Sequence, residues 1–308
     1  MVTVTTRHRG PGRTVPGRGA GVTLRLLPLV PATLVIGAFF LLPIIWAGVA
    51  STTDLGLTGS KARNPSFIGL ENYTYLFTDP RTWEAVGRTL IFVIFSVLGQ
   101  NAIGFAIAYA KQGARRWVQS VITTVVIIAW VIPEVVAAFL WYTFLKGDNA
   151  GFNQILTGLG LPAQEWLVTA PLFAVIVINI WRGSAFSLLV YSAALQDIPG
   201  EVIEAAQMDG AGTLTRIRRI VIPMLSPVIA SNMVLTTLNT LGVFGLIWIT
   251  TAGGPGTQSE TLAVLMYNQA YNFGLIGYGS AIAVLLLALG VVFSVVYVRV
   301  FRSGDKRG

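Results

Sequence analysis

The chain carries little that could make or break a covalent bond. It has no cysteine and one histidine, His8, so thiolate chemistry, disulfides and histidine-based catalysis or metal sites are excluded. What remains is hydrogen bonding and charge. Two rows of polar residues have helical spacing inside apolar runs. Asn179, Gly183 and Phe186 stand at i, i+4 and i+7, with Arg182 beside them, and Asn232, Thr236, Asn239 and Thr240 form a second stripe. Polar groups inside membrane spans are costly and mark pathways. Amides and hydroxyls suit an uncharged ligand that offers donors and acceptors of its own. The same residue types also serve helix–helix hydrogen bonding, so both readings stand.

Two charged residues, Glu134 and Arg182, fall deep inside apolar runs. They can pair with each other, or Arg182 can snorkel toward an interface. A proton relay is the alternative, although one acid and no histidine make a thin relay.

A third feature is a charged island, Glu201-Val-Ile-Glu204-Ala205-Ala206-Gln-Met-Asp209-Gly210-Ala211, followed by Arg216, Arg218, Arg219 and Ile222-Pro223. Pro199 is placed to open a helix and Asp209-Gly210 to stop it, because glycine takes the left-handed conformation without steric cost. Thr213 can cap a second short helix, which Pro223 breaks. The reading is two short helices at nearly a right angle between two spans, a knob for another protein to grip. Ala205 and Ala206 keep it slim, Gly210 turns the chain, and Glu204 can meet a partner's arginine as a partly desolvated ion pair. The three arginines read equally as a topology signal near lipid headgroups.

The elements that must position these residues follow from composition. Hydrophobic residues make up 54% of the 308 and charged residues 11%, against roughly 25% charged in soluble domains. Runs long enough to span, about 20 residues, cover 26–50, 86–110, 117–145, 168–195, 222–250 and 275–300. The fold class is therefore all-α, a polytopic membrane protein with six transmembrane helices. Pro28, Pro31 and Pro43 predict a kink in the first. Residues 1–25 read as a disordered basic tail, 26–301 as one transmembrane domain carrying the loop 196–221, and 302–308 as a second tail.

Fifteen of the 21 Lys and Arg fall in the tails and in the loops at 111–116 and 196–221; five fall in the loops 51–85, 146–167 and 251–274 or just beside them. The excess puts both termini and the Glu204 loop in the cytoplasm. It also explains the +8 net charge without nucleic acid. Trp83, Trp141, Trp166, Tyr73 and Tyr75 fit an interfacial aromatic belt, and Thr257–Tyr271 predicts a helix lying at the outer surface. The four lysines, Lys61, Lys111, Lys146 and Lys306, make no G-x-x-x-x-G-K-[ST] loop, so any ATP that powers this chain is bound by another one.

Glu204-Ala205-Ala206, Asp209-Gly210-Ala211, Ile222-Pro223 and Pro227 together resemble the EAA loop of bacterial ABC-importer permeases. Trp181-Arg182 with Phe186, Gly151-Phe-Asn153, and Thr250-Thr251-Ala-Gly253-Gly254-Pro255 with Thr261-Leu262, Tyr267 and Ala270 extend the likeness to the carbohydrate-uptake, maltose-type branch. The resemblance covers nearly all of the chain after residue 26. It implies that Glu204, Ala205, Ala206, Asp209 and Gly210 dock on a cytoplasmic ATPase. It implies a second, different permease, two ATPase subunits carrying ATP and Mg, and an external sugar-binding lipoprotein. It implies a multi-pass subunit of the plasma membrane, without enzyme activity or a cofactor of its own. On that footing the two stripes become a path for a sugar, a disaccharide such as trehalose, with Phe186, Trp181 or Phe244 to stack on a pyranose face. The rival class, a proton-coupled secondary transporter, would need an inverted repeat or paired broken helices, and the sequence displays neither.

Overall fold

In lipid every backbone N–H and C=O must be satisfied within the protein, which leaves helix as the spanning form for apolar runs of this kind. The computed structural model describes residues 30–305, and these are helices and turns, with one isolated bridge between Thr53 and Phe67. The expected tail 1–25, the start of the first span and the last three residues lie outside the described residues. The chain divides into two units, Met1–Ala47 and Gly48–Gly308.

Four helices are long and apolar enough to cross a bilayer: Thr33–Ala50, Pro80–Gly113, Pro171–Asp197 and Ile276–Val300. Two bent pairs raise the number to six if each is one span: Arg116–Val131 with Glu134–Leu145, and Thr213–Met224 with Ser226–Leu241. Ahead of Pro43 the first helix widens to a π-type turn over Gly37–Leu41, consistent with a proline that cannot donate to the preceding turn.

Two expected spans are not single straight helices. The run 117–145 bends by 100° at Ile132-Pro133. Ile132 is forced into an extended conformation (ψ 127°) because the proline ring disfavours a helical residue before it. In the run 222–250, Pro223 does not break the helix. A π-type turn over Ile217–Val221 leads into it, and the 75° bend comes at Leu225, just ahead of Pro227. That helix ends at Leu241, and Gly245–Thr250 is a separate short helix packed against Glu134–Leu145. The second span starts earlier than expected, at Pro80, where the Asp79 side chain accepts the Arg81 N–H at 3.0 Å.

The second and fourth spans approach closely through small residues. A Cβ on Gly104 would stand 2.5 Å from Ser187 Cβ, and one on Gly99 would stand 2.4 Å from Ile180 Cδ1. Small residues allow such backbone approach where no hydrophobic force drives helices together. Part of the stretch read as an outer-surface helix, Leu262–Tyr267, is helical and packs into the protein. Leu262–Tyr267 buries Leu262 and Leu265 against Leu76, Ala85 and Ile282. Glu260 anchors its start, accepting from Arg81 Nε at 2.8 Å and Nη2 at 2.7 Å, and from Asn268 Nδ2 at 2.8 Å. Of the belt aromatics, Trp83 and Tyr75 are more than half exposed, and the other three pack internally. Trp141 meets Trp181, Trp166 meets Phe152, and Tyr73 bonds Ser51.

Candidate functional site

The charged island folds as a helix, Gly200–Met208, and a second helix from Thr213. Pro199 stands just ahead of the first helix, where an absent N–H leaves nothing unsatisfied. Gly210 takes φ +75°, and the Ala211 N–H returns to the Ala206 carbonyl at 2.9 Å. Thr213 is the first residue of the next helix and not its cap, which is Gly212. Ala206 is 9% exposed, and Ile203 packs on the cluster of Tyr191, Ala194, Leu195, Val221 and Leu225 that joins the ends of the fourth and fifth spans. Glu204, Ala205, Asp209 and Gly210 face outward. Ala206 is thus turned inward and Ile203 fastens the loop to its own chain, while the other four form the accessible surface. Met208 is 88% exposed and Leu214 77%, so the turn presents apolar side chains that a partner would cover.

Seven of the eight stripe residues line one cavity of about 320 Å³: Asn179, Arg182, Gly183 and Phe186 from the fourth span, and Thr236, Asn239 and Thr240 from the fifth. This volume lies at the lower end of the roughly 300–1,000 Å³ typical of small-ligand pockets. Asn232 is placed elsewhere. Its Nδ2 donates to Asn101 Oδ1 at 2.7 Å and Ser187 Oγ at 3.0 Å, in a buried network that also holds Tyr191 and Thr236. This is interhelical hydrogen bonding of the kind its residue type also allows.

Four further residues complete the cavity wall: Gln100, Trp130, Glu134 and Val243. Gln100 was legible by the same argument as the stripes, a glutamine inside an apolar run. Its Nε2 donates to the Asn179 carbonyl at 3.3 Å. Gly183 makes room for it, since a Cβ there would stand 2.3 Å from Gln100 Cδ. Of the three aromatics considered for stacking, Phe186 lines the cavity, its ring 6.1 Å from Trp130. Phe244 is stacked on Trp248 and tilted against Tyr267, and Trp181 packs on Trp141.

Glu134 and Arg182 share this cavity but form no ion pair among the described residues. Glu134 Oε1 accepts the Leu246 N–H at 2.7 Å. Arg182 Nε and Asn179 Nδ2 are buried donors with no acceptor among the described residues. Buried donors without an acceptor are costly, and both belong to residues that line the cavity.

Residues 100–303 match the family described as binding-protein-dependent transport system inner membrane component. The sulfoquinovosyl glycerol transport system permease protein of Agrobacterium fabrum is 32% identical over 92% of this chain and 91% of its own length. The trehalose/maltose transport system permease protein of Thermococcus litoralis is 32% identical over 91% of this chain and 92% of its own. A chain in the crystal structure of a bacterial alginate ABC transporter, in complex with an alginate pentasaccharide-bound periplasmic protein, matches with TM-score 0.74 at 23% identity. That match covers 90% of this chain and 93% of the other, and it establishes the fold.

Proposed function

The chain belongs to the family of binding-protein-dependent transport system inner membrane components, and from that premise we propose that it passes a disaccharide such as trehalose into the cell. It is a membrane permease and not an enzyme. The cavity between the fourth and fifth spans carries this reading. Its amides and hydroxyls match a neutral sugar's donors and acceptors, Phe186 offers a ring face, and both spans run directly into the outward-facing Glu204 loop. A relative named for trehalose and maltose supports the disaccharide, and one named for sulfoquinovosyl glycerol supports a carbohydrate more broadly.

In this reading an external binding protein delivers the sugar, and a second permease completes the path. Two ATPase subunits grip the loops from the cytoplasm, with both termini of this chain on that side. Closure of the ATPases on ATP pushes the loop, and Ile203 carries the push to the cluster at the ends of the fourth and fifth spans. These are the spans that wall the cavity, so loop motion and access change together. A proton relay draws no support from the site, where Glu134 is engaged by a backbone N–H.

The test is reconstitution of the permease pair, ATPases and binding protein in liposomes with radiolabelled trehalose outside. ATP-dependent accumulation is expected. An assembled, ATP-hydrolysing complex that accumulates no member of a disaccharide panel would refute the substrate class.

A further inference from the structure

We propose that Glu134 and Arg182 act together as a charge filter that admits uncharged, hydroxyl-bearing sugars and rejects charged ones; this rests on the cavity being the sugar path. Glu134 follows Pro133, where the third span turns by 100°, so the bend itself brings the carboxylate to the cavity wall. One oxygen is fixed by the Leu246 N–H at 2.7 Å, at the start of the short helix Gly245–Thr250. Gly245 permits that approach, since its Cβ would stand 3.2 Å from the same oxygen. The other oxygen takes no hydrogen bond from the described residues. Arg182 reaches the cavity from the fourth span with Nε buried and unpartnered, and no carboxylate lies within ion-pair distance among the described residues. Asn179, three residues earlier and 4% exposed, adds a second unmatched donor on the same helix face.

An isolated charge in a membrane-embedded cavity is costly and marks function. One charge of each sign, held apart, leaves the wall neutral in sum. Arginine offers donors alone and a carboxylate acceptors alone, whereas a hydroxyl is both. A neutral polyol can satisfy both walls at once. An anionic sugar satisfies Arg182 but faces Glu134, and a cationic one has the opposite conflict. Either leaves an uncompensated charge in a confined site.

The probes are radiolabelled trehalose, a disaccharide containing a uronic acid and a disaccharide containing an amino sugar. Each is measured by equilibrium binding to the permease–ATPase complex in lipid nanodiscs without binding protein. The wild-type complex is expected to bind trehalose and to bind both charged analogues at least tenfold more weakly. Glu134→Gln, which keeps an acceptor for Leu246, is expected to raise the ratio of uronate to trehalose affinity at least tenfold. Arg182→Gln is expected to admit the amino sugar in the same way. Equal wild-type affinity for trehalose and the uronate overturns the filter, as does Glu134→Gln discriminating like wild type. The wild-type comparison decides alone if a substituted complex does not assemble. Absence of any sugar binding, charged or neutral, sinks the filter together with the sugar path, a pattern that retained but unselective binding does not produce.

Discussion

At the scale of single residues, Asn232 and Asn239 separate two roles that the sequence left joined. Both lie on one stripe of the fifth span, but Asn239 faces the cavity while Asn232 is buried in the Asn101–Ser187–Tyr191 network. Asn239→Leu removes a hydrogen bond to an uncharged ligand, worth ~1 kcal/mol, which is about fivefold in affinity. Uptake should fall several-fold while the melting temperature of the purified complex holds. Asn232→Leu should do the reverse, stranding buried partners at about 1–3 kcal/mol and lowering the melting temperature before it touches transport. Equal effects of the two on stability would mean that both are packing residues. Helical spacing placed both on one face but could not say which part of that face meets a neighbour, because that depends on Asn101 from a span far away in sequence. Gln100 and Asn101 were available to the same reasoning, as adjacent amides in the apolar run 86–110.

At the scale of elements, the loop between the fourth and fifth spans was the most legible part of the molecule, because its signals are local. Gly210 at φ +75° ends the first helix where Asp209-Gly210 predicted. Proline fixes φ near −65°, so Gly210→Pro cannot keep this turn. Glu204→Lys reverses the charge on the outward face. Either substitution should abolish uptake while the permease still inserts in the membrane, as read by membrane fractionation beside a transport assay. Normal transport in either variant would remove the docking role. The bends were harder to see. Hydropathy averages over a window, so 117–145 and 222–250 read as continuous spans. Pro133 was a visible signal for the first bend, through its effect on Ile132. Pro223 and Pro227 were visible too, but which of them bends the chain depends on the π-type turn before Pro223. The inward burial of Leu262–Tyr267 had no local signal, since apolar residues at an outer surface and in a core look alike in sequence.

At the scale of the whole molecule, the charge count assigned the loops to two sides, and packing within residues 48–308 groups four of them, 51–85 with 251–274 and 111–116 with 196–221, in the same way. At one end Leu57 N–H donates to Gly274 and Gly277 N–H to Leu55, both at 2.8 Å. Arg81 holds Glu260 and Arg88 meets Thr257 in that same group. At the other end Ala108, Ala194, Leu195, Val221 and Leu225 form one cluster beneath the Glu204 loop. The loops at 111–116 and 196–221 thus share an end, the one that the positive-inside rule assigns to the cytoplasm. The chain has no cysteine, so single cysteines can be placed without background. Ser60, Gln112, Thr215 and Gln258 are all exposed and suit the purpose. Cysteines at positions 60 and 258 should react with an impermeant maleimide added outside intact cells. Those at 112 and 215 should react only after the membrane is opened. The reverse pattern would place the Glu204 loop outside, away from any ATPase, and would overturn the coupling scheme. A mixed pattern within either pair would contradict the packing that ties its loops together.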